Sequence, residues 1–133
     1  MTSNSQTPSQ LTIEEQRAGW RAVITAVGEV DISSAADLQR ALETARDGGA
    51  EEIWLDLTRT TFMDCSGLHA VLDLRASWDD ANRRMVVVCP AGPVLRLLVL
   101  TGVARELEIH PTRTAAQMRN ELVPRPAVTR RDP

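Results

Sequence analysis

EEIWLDLTRTTFMDCSGLHAVLDL, residues 51–74, decides how the chain is read. Ile53, Leu55 and Leu57 are spaced by two, with Trp54 between them on the opposite face, so residues 52–57 form a strand that is apolar on both sides at its start. Such a strand belongs in a sheet interior. After a Thr-rich turn from Thr58 to Thr61, the spacing of Leu68, Val71, Leu72 and Leu74 predicts a helix reaching Trp78. In Asp64-Cys65-Ser66-Gly67-Leu68 the aspartate is placed to cap that helix, accepting from N–H groups of the first turn, which puts Ser66 inside the turn. A phosphate on the Ser66 hydroxyl would then meet unsatisfied backbone N–H groups and the positive end of the helix dipole. Gly67 leaves little bulk beside the hydroxyl, which allows close approach by a kinase cleft or a partner backbone. Ser and Asp are favoured at helix starts in any case, so this motif acquires meaning only from its context.

Upstream, Leu11 to Gln16 alternates Leu and Ile with polar residues, Ala18-Gly19 can turn, and Trp20 to Val27 returns, which predicts a hairpin. Gly28 is expected to end that strand. Ser34 with Asp37 reads as a capping box, and Leu38, Ala41, Leu42 and Ala45 share one helical face until Asp47-Gly48-Gly49 stops it. Downstream, Met85 to Cys89 is a buried strand by composition. Pro90-Ala91-Gly92-Pro93 breaks the chain and starts another helix, with Pro93 near its first position and Gly102 closing it. Leu107 to Ile109 reads as a short strand, His110-Pro111 interrupts, and Thr112 to Leu122 reads as a final helix carrying Ala115, Met118 and Leu122. The order is β-β-α-β-α-β-α-β-α. This predicts an α/β domain with a mostly parallel central sheet and an N-terminal antiparallel hairpin. Functional loops in such sheets lie beyond the carboxyl ends of the strands, here Gly28 to Ser34, Thr58 to Ser66 and Pro90 to Pro93. The domain is expected to span residues 11–122. Residues 1–10 and 123–133 are too polar to offset the entropy of ordering and are expected to be disordered tails.

Composition narrows the chemistry. The 133 residues are 43% apolar and 25% charged, ordinary for one globular domain, and no window holds the roughly 18 consecutive apolar residues of a membrane span. All 15 basic residues are arginine, which removes Schiff-base catalysis, a Walker A phosphate clamp and the usual receiver-domain lysine. A net charge of -3 argues against nucleic acid as a partner. The N-terminus lacks the pattern of a signal peptide, so the expected location is cytoplasmic, with Cys65 and Cys89 reduced. No G-x-S-x-G elbow surrounds Ser66, and Cys65, Cys89, His69 and His110 lack metal-ligand spacing. No enzyme, metal or cofactor is expected.

The segment Val27-Gly28-Glu29-Val30-Asp31, the helix after it, and Phe62-Met63-Asp64-Cys65-Ser66-Gly67-Leu68 resemble the STAS domain of bacterial anti-sigma factor antagonists. The likeness spans residues 11–122, with the two motifs separated by one helix and one strand, as in that family. It implies a protein that binds an anti-sigma factor, often a GHKL-type serine kinase, and thereby frees a sigma factor. It also implies that the kinase phosphorylates Ser66, which ends the binding, and that a PP2C-type phosphatase restores it. Glu29, Asp31, Ser33, Asp64, Cys65, Ser66, Gly67 and His69 are the partner contacts it implies. STAS-like domains also serve as scaffolds in signalling complexes or lipid-transport systems, a use that would need no phospho-acceptor.

Cys65 stands where the family usually has Ser or Thr, and His69 where a small residue is frequent. Cys65 reads as a small buried apolar residue rather than an oxidation sensor. His69 and Asp73 fall four apart on the outer side of their helix, as a solvated pair would. The helix from Pro93 carries more apolar residues than one face can bury, so Leu95 or Val99 is expected at a contact patch. A weak homodimer or plain surface scatter would account for that excess equally well.

Overall fold

Each amphipathic helix has one apolar stripe to bury, and each interior strand has two faces to cover, so the chain wraps helices around a sheet. The computed structural model describes residues 10–78 and 83–122. Strands β1 (Leu11–Ala18) and β2 (Arg21–Val30) form an antiparallel hairpin, with Leu11 opposite Gly28 and Ala18 opposite Arg21. There follow α1 (Ala35–Asp47), β3 (Glu52–Asp56), β4 (Thr60–Met63), α2 (Cys65–Ser77) and β5 (Arg84–Val88). The chain continues through α3 (Pro93–Leu100), a 3₁₀ turn (Val103–Glu106), β6 (Glu108–His110) and α4 (Arg113–Leu122). Among the described residues six strands make one sheet in the order β1-β2-β3-β5-β6, with β4 also paired to β2. Every pairing but the hairpin is parallel.

The expected fold class holds, with corrections in detail. β4 is a strand where the sequence suggested a turn and a junction. Only Thr58 and Arg59 turn, after which Thr60 and Met63 face the interior and the Thr60 hydroxyl donates to the Ala26 carbonyl at 2.7 Å. Four residues are too few for alternation to be visible in the sequence. Gly28 does not end its strand. It bends β2 at φ +113°, where the register to β4 slips by one residue and Glu29 goes on to pair with Phe62. A side chain there is barred, because a Cβ would lie 1.9 Å from the Gln10 carbonyl oxygen. Ser34 forms no capping box: its buried hydroxyl donates to the Glu29 carbonyl at 2.9 Å and accepts from the Asp31 N–H at 3.0 Å. Asp37 pairs with Arg40 instead. The last strand sits one residue later than expected. Among the described side chains of α4 the buried one is Ala116, whereas Ala115 is half-buried and Met118 is 56% exposed. The side chain of Leu122, the segment 1–9 and the tail 123–133 lie outside the described residues.

Alternation along the strands separates two interiors. On one side Ile24, Ile53, Leu55 and Val87 share a core with Leu38 and Leu42 of α1, Val71 and Leu74 of α2, and Leu98 of α3. Full burial of each such side chain contributes about 1.5–3 kcal/mol. On the other side Trp54, Val86 and Val88 meet Ala116 of α4. Beside them runs an ionic row across four strands. Arg21 donates to Glu52 at 2.7 Å, Arg84 donates to Glu52 at 3.3 Å and to Glu108 at 2.9 Å, and His110 Nε2 lies 2.8 Å from Glu108. The Trp54 indole N–H also donates to Glu52, at 2.8 Å.

Candidate functional site

Strands β2 and β4 end side by side, with Val30 in register with Met63, and the Asp64 N–H donates to the Val30 carbonyl at 3.1 Å. The β2–α1 loop and the start of α2 therefore leave the sheet from adjacent carboxyl ends, which is where loops of a parallel sheet are placed to meet a ligand or partner. This geometry brings together the two stretches that carry the family resemblance.

Asp64 caps α2 as its sequence position suggests. Its extended backbone turns the carboxylate onto the helix start, where Oδ1 accepts from the Ser66 N–H at 2.8 Å and the Gly67 N–H at 3.4 Å. These amides are therefore already occupied, which corrects the expectation that they would be open to a phosphate. A phosphate on Ser66 would face a carboxylate as well as the helix dipole. Ser66 itself is half-buried, and among the described residues nothing hydrogen-bonds its hydroxyl.

Gly67 has a different role from the one expected. It is buried, and a Cβ there would lie 2.6 Å from Met63 Cγ and 2.9 Å from Val30 Cγ1. The first turn of α2 thus presses directly on β2 and β4, and the glycine serves that packing rather than a partner's approach. Cys65 is exposed, not buried, because α2 turns Gly67, Leu68, Ala70, Val71 and Leu74 inward and leaves its first position outside. Cys89 is the buried cysteine; burial, with the Asp56 carboxylate adding to it, pushes its thiol up to about 11. His69 and Asp73 are both exposed on the outer face of α2.

In the neighbouring loop the Asp31 carboxylate accepts from the Ser33 hydroxyl at 2.6 Å and the Ser33 N–H at 2.9 Å. These bonds hold Asp31 below its ordinary range. Ser33 is exposed, and Glu29 is half-buried beside Phe62 in the ladder.

Sequence reasoning passed over two apolar residues in this region. Ile32 is 85% exposed in the loop and Phe62 is 47% exposed on β4. The available signal was an aliphatic residue set between Asp31 and Ser33, where a plain surface turn would be polar. On α3, which packs against β4, Val99 is exposed as expected and Leu100 more so, whereas Leu95 is half-buried.

An open cleft of about 420 Å³ lies elsewhere, lined by Thr25, Asp56, Thr58, Arg59, Pro90 and Arg113 among others, and holds no candidate contact residue. Among the described residues no group of three or more His, Cys, Asp and Glu is placed to hold a metal ion. Likewise, no described helix is long and apolar enough to cross a membrane.

Residues 12–116 match the STAS domain family, and the chain belongs to that family. Solved structures share its fold. An anti-sigma factor antagonist from Mycobacterium paratuberculosis is 20% identical with a TM-score of 0.77, the match covering 84% of this chain and 95% of that one. The anti-sigma factor antagonist SpoIIAA in its unphosphorylated form is 23% identical with a TM-score of 0.62, covering 84% and 97%. The Bacillus cell fate determinant SpoIIAA in its phosphorylated form is 20% identical with a TM-score of 0.60, covering 81% and 97%. No curated protein matches the sequence.

Proposed function

We propose that this STAS domain is an anti-sigma factor antagonist that acts in the cytoplasm by binding and not by catalysis. The surface formed by the Ser66 turn and the Glu29 to Ser33 loop docks on an anti-sigma factor that is itself a GHKL-type serine kinase, and a sigma factor is released. Glu29, Asp31, Ser33, Asp64, Cys65, Ser66 and His69 provide polar contacts, with Ile32 and Phe62 as apolar ones. Gly67 contributes by letting the turn sit close to the sheet. Phosphorylation of Ser66 ends the binding and a PP2C-type phosphatase reverses it.

The observation that supports this reading is the uncommitted Ser66 hydroxyl at a helix start where Asp64 has already taken the Ser66 and Gly67 amides. Phosphate adds about -1.5 to -2 charges. Two residues from the Asp64 carboxylate, that charge raises the cost of desolvating the turn against a partner. It also repels any carboxylate brought near. No change of fold is required, and a loss of about 3 kcal/mol weakens affinity more than a hundredfold.

Incubation with ATP and the candidate kinase, followed by peptide mass spectrometry, should recover phosphate on Ser66. Phosphate on Thr58, Thr60 or Ser77 with Ser66 unmodified would count against the proposal. By calorimetry, Ser66→Ala should retain affinity for the anti-sigma factor, while Ser66→Glu should lose at least about tenfold, which is roughly 1.4 kcal/mol. Equal affinities would remove the switch and leave a STAS scaffold as the remaining reading.

A further inference from the structure

The two helical layers over the sheet are held by different means. Helix α1 buries Ala35, Leu38, Leu42 and Ala45, and α2 buries Gly67, Leu68, Ala70, Val71 and Leu74. Among its described side chains α4 buries one, Ala116, against the cluster of Trp54, Val86 and Val88. A single methyl group anchors far less than two leucines do. Among the described side chains the other fastenings of α4 are polar: Arg113 Nε donates to Asp56 Oδ2 at 2.6 Å, and an Arg113 Nη donates to the Thr25 hydroxyl at 3.0 Å.

We infer that α4 is a strap that lifts from the sheet as a unit, latched by Arg113 on Asp56, while the α1–α3 layer that carries Ser66 stays folded. Breaking the latch does not strand its acceptor. Asp56 keeps the Thr58 N–H, which donates to Oδ1 at 2.8 Å, and both partners line an open cleft. Arg113 has a 44% exposed side chain, so its guanidinium exchanges Asp56 and Thr25 for solvent when the helix lifts. The hinge is short and placed at the surface: Pro111 and Thr112 are both exposed. Upstream of it, β6 stays in the sheet through its ladder to β5 and the Cys89 N–H bond to the His110 carbonyl at 2.8 Å. Lifting the strap uncovers Val86, Val88 and the edge of Trp54, which remains partly shielded by the Arg21 guanidinium 4.3 Å from its ring centroid. Local opening of this kind is set by few buried apolar contacts and solvent-accessible polar ones, as found here. The inference stands apart from the identity of any partner.

Hydrogen exchange on the full chain tests it. In the wild type, amides from Ala116 to Leu122 should share one protection level and exchange at least about tenfold faster than the central amides of α1 and α2. Arg113→Ala should speed α4 exchange a further fivefold or so and leave α1 and α2 unchanged. Thr25→Val, which keeps the ion pair, should give a smaller acceleration confined to α4. Three results would overturn the inference. One is exchange of α4 at the α1 and α2 rate. Another is rates climbing steadily toward Leu122, which mark fraying from the end. The third is equal acceleration of all helices by Arg113→Ala.

Discussion

Alternate residues of β3 face two unlike interiors. Ile53 and Leu55 join the leucines of α1 and α2, whereas Glu52, Trp54 and Asp56 look toward the side that α4 partly covers. The first interior is held by apolar area and shape. The second is held by a row of charges from β2, β3, β5 and β6, with one tryptophan beneath it. The difference teaches that one strand can be specified by two kinds of force, and that each side should fail in its own way.

The largest expected effect comes from the ionic side. Glu52 is fully buried and is shared by Arg21, Arg84 and the Trp54 indole, so Glu52→Ala takes a buried carboxylate from two cations and an indole donor, of which Arg84 keeps Glu108. A cost of about 4 kcal/mol is expected, since breaking a buried pair from one side typically costs 3–5 kcal/mol. Leu42→Ala on the apolar side should cost about 3 kcal/mol through lost transfer energy and a cavity. Urea unfolding of both variants breaks the comparison if Glu52→Ala proves the milder of the two.

A smaller effect is expected where the site rests on the apolar side. Gly67→Ala should destabilise by about 2 kcal/mol, because the new methyl overpacks against Met63 and Val30. Met63 can yield and Val30 cannot. Unchanged thermal stability in this variant would mean that α2 stands off the sheet more easily than its packing implies.

The smallest effect is a pH dependence with two of its sources, Asp56 and Glu108, on the ionic side. Burial pushes the Asp56 carboxyl up, but hydrogen bonds from Thr58 and Arg113 outweigh it and hold the group below its ordinary 3.8. For Glu108 burial likewise raises, and bonds from Arg84 and His110 outweigh it, below an ordinary 4.5. A depressed carboxyl stabilises the fold fully above its unfolded value and ceases to do so as pH falls through its folded value. Stability should therefore decline below about pH 4, the unfolded range of these carboxyls. Asp56→Asn should flatten part of that slope, and an identical slope in the variant would show that Asp56 is not a source of it.

Much of the fold was legible because periodicity reports burial. The spacing of Leu38, Leu42 and Ala45, or of Ile53 and Leu55, states which face is apolar, and the structure buries those faces. Asp64 as cap was legible for a local reason: the donors its carboxylate accepts from are the amides two and three residues ahead. Ser34 misled by the same local logic, since its hydroxyl is claimed by Glu29 and Asp31 across a loop. Cys65 and Gly67 were assigned opposite environments from those they occupy, because a helix start shows too few residues to fix which side faces in. The exposed Ile32 and Phe62 were passed over because solvent exposure of an apolar residue depends on what fails to cover it.

The amino-acid sequence by itself determined the alternation of strands and helices, the capped start of α2 and the placement of Ser66 within its first turn, since these follow from spacing within a few residues. Only the tertiary structure decided that β4 joins β2, that Gly67 packs against Met63 and Val30, and that Arg21, Glu52, Arg84 and Glu108 form one row. Those charges come from four strands distant along the chain, and parallel pairing, not sequence neighbourhood, sets them side by side.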